Sequence, residues 1–366
     1  MTMHDLGYRS WDADAPHQKF SWLTISRYGA KLAWKSQWLK RIIYLAFMPF
    51  FGLLASVFVY EQVSNWPDLY PQLFVIVEAL EESQQDPIEQ DQQGPIEEIQ
   101  QGPIEQSQQG PRPEQVLVEE DLPTARFDPS NIPNPEEYVQ DYVDEHRSTI
   151  WRIGFYTFFR RSQGILMVLL VGMIAPGLIS RDMQSRAFLL YFSRPITPFQ
   201  YLLGKATTVW IFLLAVTTLP ALLVYLVGVL FSPSLGVILN TWDIPLRILL
   251  ATAVLTIPTT MLALCLSSLV NESRYARFAW FAIWIVGFLS ASILFTADLQ
   301  ASGNYDIWTS RWAFLSPYHV LGIVERWAFG LMERPADVIP YLAILGVVTV
   351  VCFGTLMRRI TAPIRV

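Results

Sequence analysis

Four histidines are the chain's whole supply of imidazole, and His4, His17, His146 and His319 stand in four separate regions. None lies in an H-E-x-x-H pattern, which would set two metal ligands and a general base on one helix face. No G-x-S-x-G elbow presents a serine nucleophile. Gly204 and Lys205 are followed by Ala206, and Phe199 stands where the first glycine of a phosphate-binding loop would have to be, so the chain has no means of holding a nucleotide there. Cys265 and Cys352 both sit in apolar runs. They read as packed or lipid-facing thiols, with neither metal spacing nor a disulfide context. Nothing here forms or breaks a bond. The polar groups concentrated enough to act lie in ISRDMQSRAFLLYFSRPITPFQYLLGK, residues 179–205, where Arg181, Arg186, Arg194 and Lys205 separate two apolar runs.

The elements that must position this segment follow from composition. Of 366 residues, 52% are hydrophobic and 16% charged, with a mean hydropathy of +0.31. A soluble domain carries about 25% charged residues, so the balance favours a membrane. The net charge of −6 is local, because residues 61–163 hold 21 of the 32 acids and six of the 26 basic residues. No clustered basic face suits nucleic acid. The polar N-terminus, MTMHDLGYRSWDADAPHQ, lacks the basic-then-apolar form of a cleavable signal.

About 20 apolar residues cross a bilayer core as a helix, since each adds about 1.5 Å. Six segments qualify: 42–60, 162–180, 206–231, 246–270, 278–296 and 338–357. Pro49, Pro176, Pro220 and Pro258 fall within them and read as kinks, because neighbouring helices can satisfy the freed carbonyls. With a cytoplasmic N-terminus, the inner segments 1–41, 181–205, 271–277 and 358–366 hold 16 of the 26 Lys and Arg. The positive-inside rule therefore predicts six spans with both termini cytoplasmic. The spans carry essentially no Asp, Glu, Lys or His, which disfavours an ion-coupled carrier. Their hydroxyls, among them Thr208, Thr217, Thr218, Thr252, Thr259, Thr260, Ser267 and Ser268, suit interhelical hydrogen bonds or a weakly polar translocation surface.

Ahead of the first span, Trp22, Ile25, Leu32 and Trp38 recur at roughly helical spacing beside Arg27, Lys31, Lys35, Lys40 and Arg41. That pattern predicts an amphipathic helix in the cytoplasmic interface of the lipid bilayer, aromatics in the acyl boundary and lysines among anionic headgroups. An ordinary amphipathic packing helix is the competing reading. The segment 61–161 is an extracytoplasmic loop. Its residues 84–115 repeat an octapeptide, QQDPIEQD, QQGPIEEI, QQGPIEQS, QQGPRPEQ, too polar and proline-punctuated to pack. Asn134 as cap, Pro135 first and Glu137 at the third position predict a helix from about 135 that could run into the second span, with Gly154 and Gly164 as possible joints. In the extracytoplasmic segment 297–337, Ser316-Pro317 opens and Gly330 closes a helix of ~14 residues, too short to span. Its aromatics and the internal Glu325-Arg326 pair suggest a helix lying on, or partly re-entering, the outer leaflet. A plain extracytoplasmic helix is the competing reading.

Within 179–205 the punctuation is dense. Ser180 reads as an N-cap with Asp182 in the first turn, and RDMQSRAFLLYFS as about three turns. Pro195 stops it, since the residue before proline leaves the α region. Thr197, Pro198 and Gln200 then form a cap, a first position and a capping-box partner. The prediction is helix, turn, helix between spans two and three. It reads either as an interfacial elbow that turns the chain or as a projection presented to a partner.

Ile179-Ser180-Arg181-Asp182, Ser193-Arg194-Pro195 and Tyr201-Leu202-Leu203-Gly204-Lys205 resemble the cytoplasmic region of ABC-type exporter permeases of the second class, the six-helix "type V" kind. The resemblance covers most of the chain and implies an all-α integral membrane protein of six spans, with an interfacial N-terminal helix and a cytoplasmic coupling helix at 181–205. It implies that Arg181, Asp182, Gln184, Arg186, Tyr191 and Arg194 contact a cytoplasmic ABC ATPase subunit. Ser180, Pro195, Thr197, Pro198, Gly204 and Lys205 would form the structural hinge. It also implies ATP and Mg on that partner, no cofactor on this chain, and a second permease copy or a related permease beside it in the cell (inner) membrane. The repeat-bearing loop is larger than the simplest members carry, which leaves the substrate class open. A different reading makes the chain a membrane scaffold whose acidic loop recruits an extracytoplasmic partner.

Overall fold

The computed structural model describes residues 21–62, 66, 135–185, 187, 196–232, 236–302, 310–332 and 334–361. The octapeptide repeat at 84–115 lies outside them, as do Arg186, Tyr191, Arg194 and Pro195. Every regular element among the described residues is helical. The chain divides into two compact units, residues 62–147 and the remainder, 1–61 with 148–366. In the first, Asp144 pairs with Arg147, and the His146 ring stacks on Tyr142.

The larger unit opens with α1 (Ser21–Trp34), and Ser36 caps α2 (Gln37–Ala46) by accepting from the Leu39 amide. With α3 (Met48–Gln62) this makes the first apolar run, Gln37–Gln62. The others are Tyr138–Gln184, Pro198–Phe231, Val237–Leu269, Ser273–Asp298 and Pro335–Thr361, six among the described residues. The expected helix start at Pro135 is present, in α4 (Pro135–Thr157). Helical structure continues through a π-helical segment (Phe158–Gln163), α5 (Gly164–Ile174) and α6 (Pro176–Gln184). Of the two expected joints, Gly164 follows the π segment directly, whereas Gly154 lies inside α4. The remaining elements are α7 (Pro198–Val216), α8 (Thr218–Phe231), α9 (Val237–Thr241), α10 (Asp243–Leu269), α11 (Ser273–Ser302), α12 (Pro317–Ala328) and α13 (Ile339–Thr361).

The prolines divide the spans as their chemistry requires. Pro176 begins α6 and Pro220 follows the break between α7 and α8, each removing a donor from the helical ladder. Pro258 stays inside α10. Hydroxyls join neighbouring spans near such sites: Thr218 and Thr252 lie 2.9 Å apart between spans three and four. Span two is the most enclosed, 67% buried over its most apolar stretch, against 17% for spans one, five and six. Gly172 lets spans two and five meet, since a Cβ there would lie 2.6 Å from the Phe281 ring. The neighbouring Trp280 indole donates to the Val168 carbonyl at 2.8 Å.

The loop helix α12 is held by two arginines from different spans. Arg160, on the π segment, is buried, donates to the Tyr318 carbonyl at 2.6 Å and lies 3.3 Å from the Tyr318 ring centroid. Arg247 of α10 donates to Asp243 at 2.6 Å and to the Ala328 carbonyl at 3.2 Å, where a cation complements the negative helix end. Gly330 then takes φ +70, the left-handed closure expected of it. Glu325 and Arg326 do not form a pair. Adjacent helical residues point apart, so Arg326 donates to the Leu331 carbonyl while Glu325 is 2% exposed, with Oε1 unpartnered among the described residues.

Burial pushes the Glu325 carboxyl from 4.5 up to about 7, against the opposing pull of the Arg160 guanidinium. Burial, aided by Arg160, pushes the His319 imidazole from 6.5 down to about 4. The carboxyl's raised value favours the folded state fully below pH 4.5, and that contribution is lost as pH rises through about 7. The imidazole's lowered value favours folding above pH 6.5, and that contribution is lost as pH falls through about 4. The two slopes oppose each other between 4.5 and 6.5, and above 6.5 only that of Glu325 remains. Thermal melts are expected to stay level across the opposed range and decline near neutrality. Glu325→Gln removes the decline, raises stability at alkaline pH on the order of 3 kcal/mol, and exposes an acid-side loss. A wild-type profile with the same neutral decline in the Gln variant contradicts this assignment.

Candidate coupling site

The elbow between spans two and three is built from both sides inward. Pro176 restarts the helix at α6, where the Leu178 amide donates to the Ala175 carbonyl at 3.0 Å. Span four braces this turn from the side. The Ser267 hydroxyl accepts from the Ile179 and Ser180 amides, at 3.2 and 3.1 Å, and donates to the Pro176 carbonyl at 2.8 Å. Ser180 is fully buried and its own hydroxyl donates to Pro176 at 2.6 Å. It is therefore not an N-cap, because the helix has already begun four residues earlier at the proline. Arg181, Asp182 and Gln184 correspondingly occupy the last turn of α6 rather than the first turn of a new helix. Ser185 closes that turn, its amide donating to the Arg181 carbonyl at 2.9 Å.

On the far side the expected restart is present in full. Thr197 caps α7, accepting from the Gln200 amide, while the Gln200 side chain accepts from the Thr197 amide, each at 3.2 Å, and Pro198 takes the first position. One turn in, Tyr201 is buried and its hydroxyl donates to Asp182 at 2.7 Å. Lys205, another turn on and also buried, reaches the same carboxylate oxygen at 2.6 Å. Its ammonium lies 5.3 Å from the Tyr201 ring centroid. One carboxylate at the end of span two thus satisfies two groups at the start of span three. Isolated, each would carry a large desolvation cost; together they make a short, charge-assisted tie.

The back of this tie is α1, which packs along α7. Gly204 admits it: a Cβ there would fall 2.8 Å from the Trp22 carbonyl and 2.8 Å from the Ile25 Cβ. Gly29 does the same from the other helix, its absent Cβ leaving room for the Thr208 hydroxyl. That hydroxyl donates to the Gly204 carbonyl at 3.0 Å. The elbow is therefore rigidly joined to spans two, three and four and to α1.

The residues singled out from sequence divide accordingly. Arg181 and Gln184 are exposed on the last turn of α6 and free to meet a partner. Asp182 is turned inward into the tie, and Lys205 and Gly204 act as packed anchors. Arg186, Tyr191, Arg194 and Pro195 lie outside the described residues. The bracing role of Ser267 was missed: it was one hydroxyl among many in the spans. No group of three or more His, Cys, Asp or Glu able to hold a metal occurs among the described residues.

No curated protein and no solved structure matches the chain. The family model described as ABC-2 family transporter protein matches residues 34–359, from the end of α1 to the last turn of α13. With six apolar runs on one chain and the match spanning nearly all of it, the protein belongs to the ABC-2 transporter family, as a multi-pass membrane component.

Proposed function

We propose that the chain is the permease subunit of an ATP-driven exporter. Both termini are cytoplasmic, and it pairs with a second copy or a related permease in the cell membrane. Separate ABC ATPase subunits supply ATP and Mg. The elbow at 181–205 is the surface those subunits push, with Arg181, Gln184 and Arg186 as the first points of contact and Tyr191 and Arg194 along the same projection. The observation that carries this reading is the Asp182 tie with its Ser267 brace. A force reaching the described ends of the elbow is passed through these bonds to spans two, three and four together. The missing nucleotide loop agrees with hydrolysis on another chain.

Charge reversal tests the contact. Arg181→Glu and Arg186→Glu are expected to cut recovery of the ATPase subunit with the tagged permease by at least tenfold, because a truncated and repelled charge pair costs about 2–5 kcal/mol. Arg181 is exposed, so its reversal leaves the permease folded. Undiminished recovery together with coupled hydrolysis would remove the elbow from the docking surface.

A further inference from the structure

The exporter reading leaves the helix ahead of span one without a task. Residues 15–60 contain six cations and no acid. The structure shows how five of them are arranged. Ile25, Ser26 and Gly29 turn toward span three and are buried. The opposite arc of α1 carries Arg27 and Lys31, with Lys35 in the turn just beyond it, all exposed and at successive four-residue steps. Apolar shoulders flank this stripe on both edges: Tyr28 (67% exposed) and Leu32 on one, Leu23 and Trp34 on the other. Beyond the Ser36 cap, two more cations are seated over exposed indoles. Lys40 lies 5.8 Å from the Trp34 ring centroid and Arg41 5.0 Å from that of Trp38.

A cationic stripe between apolar shoulders, bent at a capped elbow into a membrane span, matches one chemistry at its two levels. Phosphate esters meet the ammonium and guanidinium groups, and the adjoining acyl carbons meet Tyr28, Leu32 and the indoles. A soluble anion would leave the exposed aromatics in water, and an acidic protein would compete with the bilayer that the adjoining span fixes alongside. We propose that the α1 and α2 elbow is a binding surface for acidic phospholipid headgroups.

The test uses the full-length chain in detergent with its retained lipids counted by native mass spectrometry. The probes are phosphatidylglycerol and phosphatidylcholine of identical acyl chains. Each basic residue near an acidic surface is worth about 1 kcal/mol, or about fivefold. Phosphatidylglycerol is therefore expected to be retained at least tenfold better than phosphatidylcholine. The triple variant Arg27→Gln, Lys31→Gln, Lys35→Gln, with exposed side chains and no buried partner disturbed, is expected to lose this preference and fall to the phosphatidylcholine level. Arg358→Gln with Arg359→Gln, an exposed cationic pair at the end of span six, is expected to keep the preference. Equal retention of the two lipids, or an unchanged triple variant, overturns the proposal. Displacement of phosphatidylglycerol by millimolar inorganic phosphate also overturns it, since the site would then serve a free anion.

Discussion

Asp182→Asn is expected to leave the fold 3–5 kcal/mol less stable and to uncouple the partner's ATP hydrolysis from transport. The estimate is about the cost of a buried charge whose partner has been removed. Asparagine still accepts from the Tyr201 hydroxyl, but it offers no charge to Lys205, which is held 2.6 Å from the missing carboxylate. Lys205→Met alone leaves the carboxylate with the Tyr201 hydroxyl but without its charge partner. Together the two changes replace an ion pair by an amide and a thioether of similar volume, and most of the stability is expected to return. A thermal-melt double-mutant cycle reads the interaction directly. An interaction energy below about 0.5 kcal/mol would show that these groups act independently and that the tie has no mechanical role.

Gly204→Val has the second largest expected effect. Valine's Cβ and branches would occupy the space now filled by the Trp22 carbonyl and Ile25 side chain, and a helix backbone cannot yield there as a flexible side chain can. Overpacking of this kind costs about 1–3 kcal/mol. The loss falls on α1, so limited proteolysis should release that helix while the spans stay intact. Gly346→Ala is the matched control: nothing lies within 4 Å of a Cβ there, and replacing a mid-helix glycine gains about 0.5–1 kcal/mol. If both variants melt alike and protect α1 equally, the close approach at Gly204 does not hold α1 in place.

The contrast between what was legible and what was not follows distance along the chain. Thr197, Pro198 and Gln200 act within one turn of one another, so their capping box could be read directly, as could Ser316, Pro317 and Gly330 around α12. Six spans followed from length and hydropathy alone. Ser180 was misread because its environment is completed by a hydroxyl 87 positions later, which no local pattern announces. Asp182 and Lys205 stand 23 residues apart, and only the fold of the elbow places them in contact. The same holds for Arg160, which meets Tyr318 from 158 positions away and gives α12 a buried anchor where sequence suggested a charged pair on the helix itself.

The Ser267 brace has a consequence for how this protein is made. Synthesis adds roughly 5–20 residues each second, so the 87 residues between Ser180 and Ser267 correspond to roughly 4–17 s of elongation. For that interval span two has left the ribosome with the first turn of α6 still lacking its hydroxyl. The second span therefore reaches its final shape only in the company of the fourth, which makes their meeting an ordered step in biogenesis.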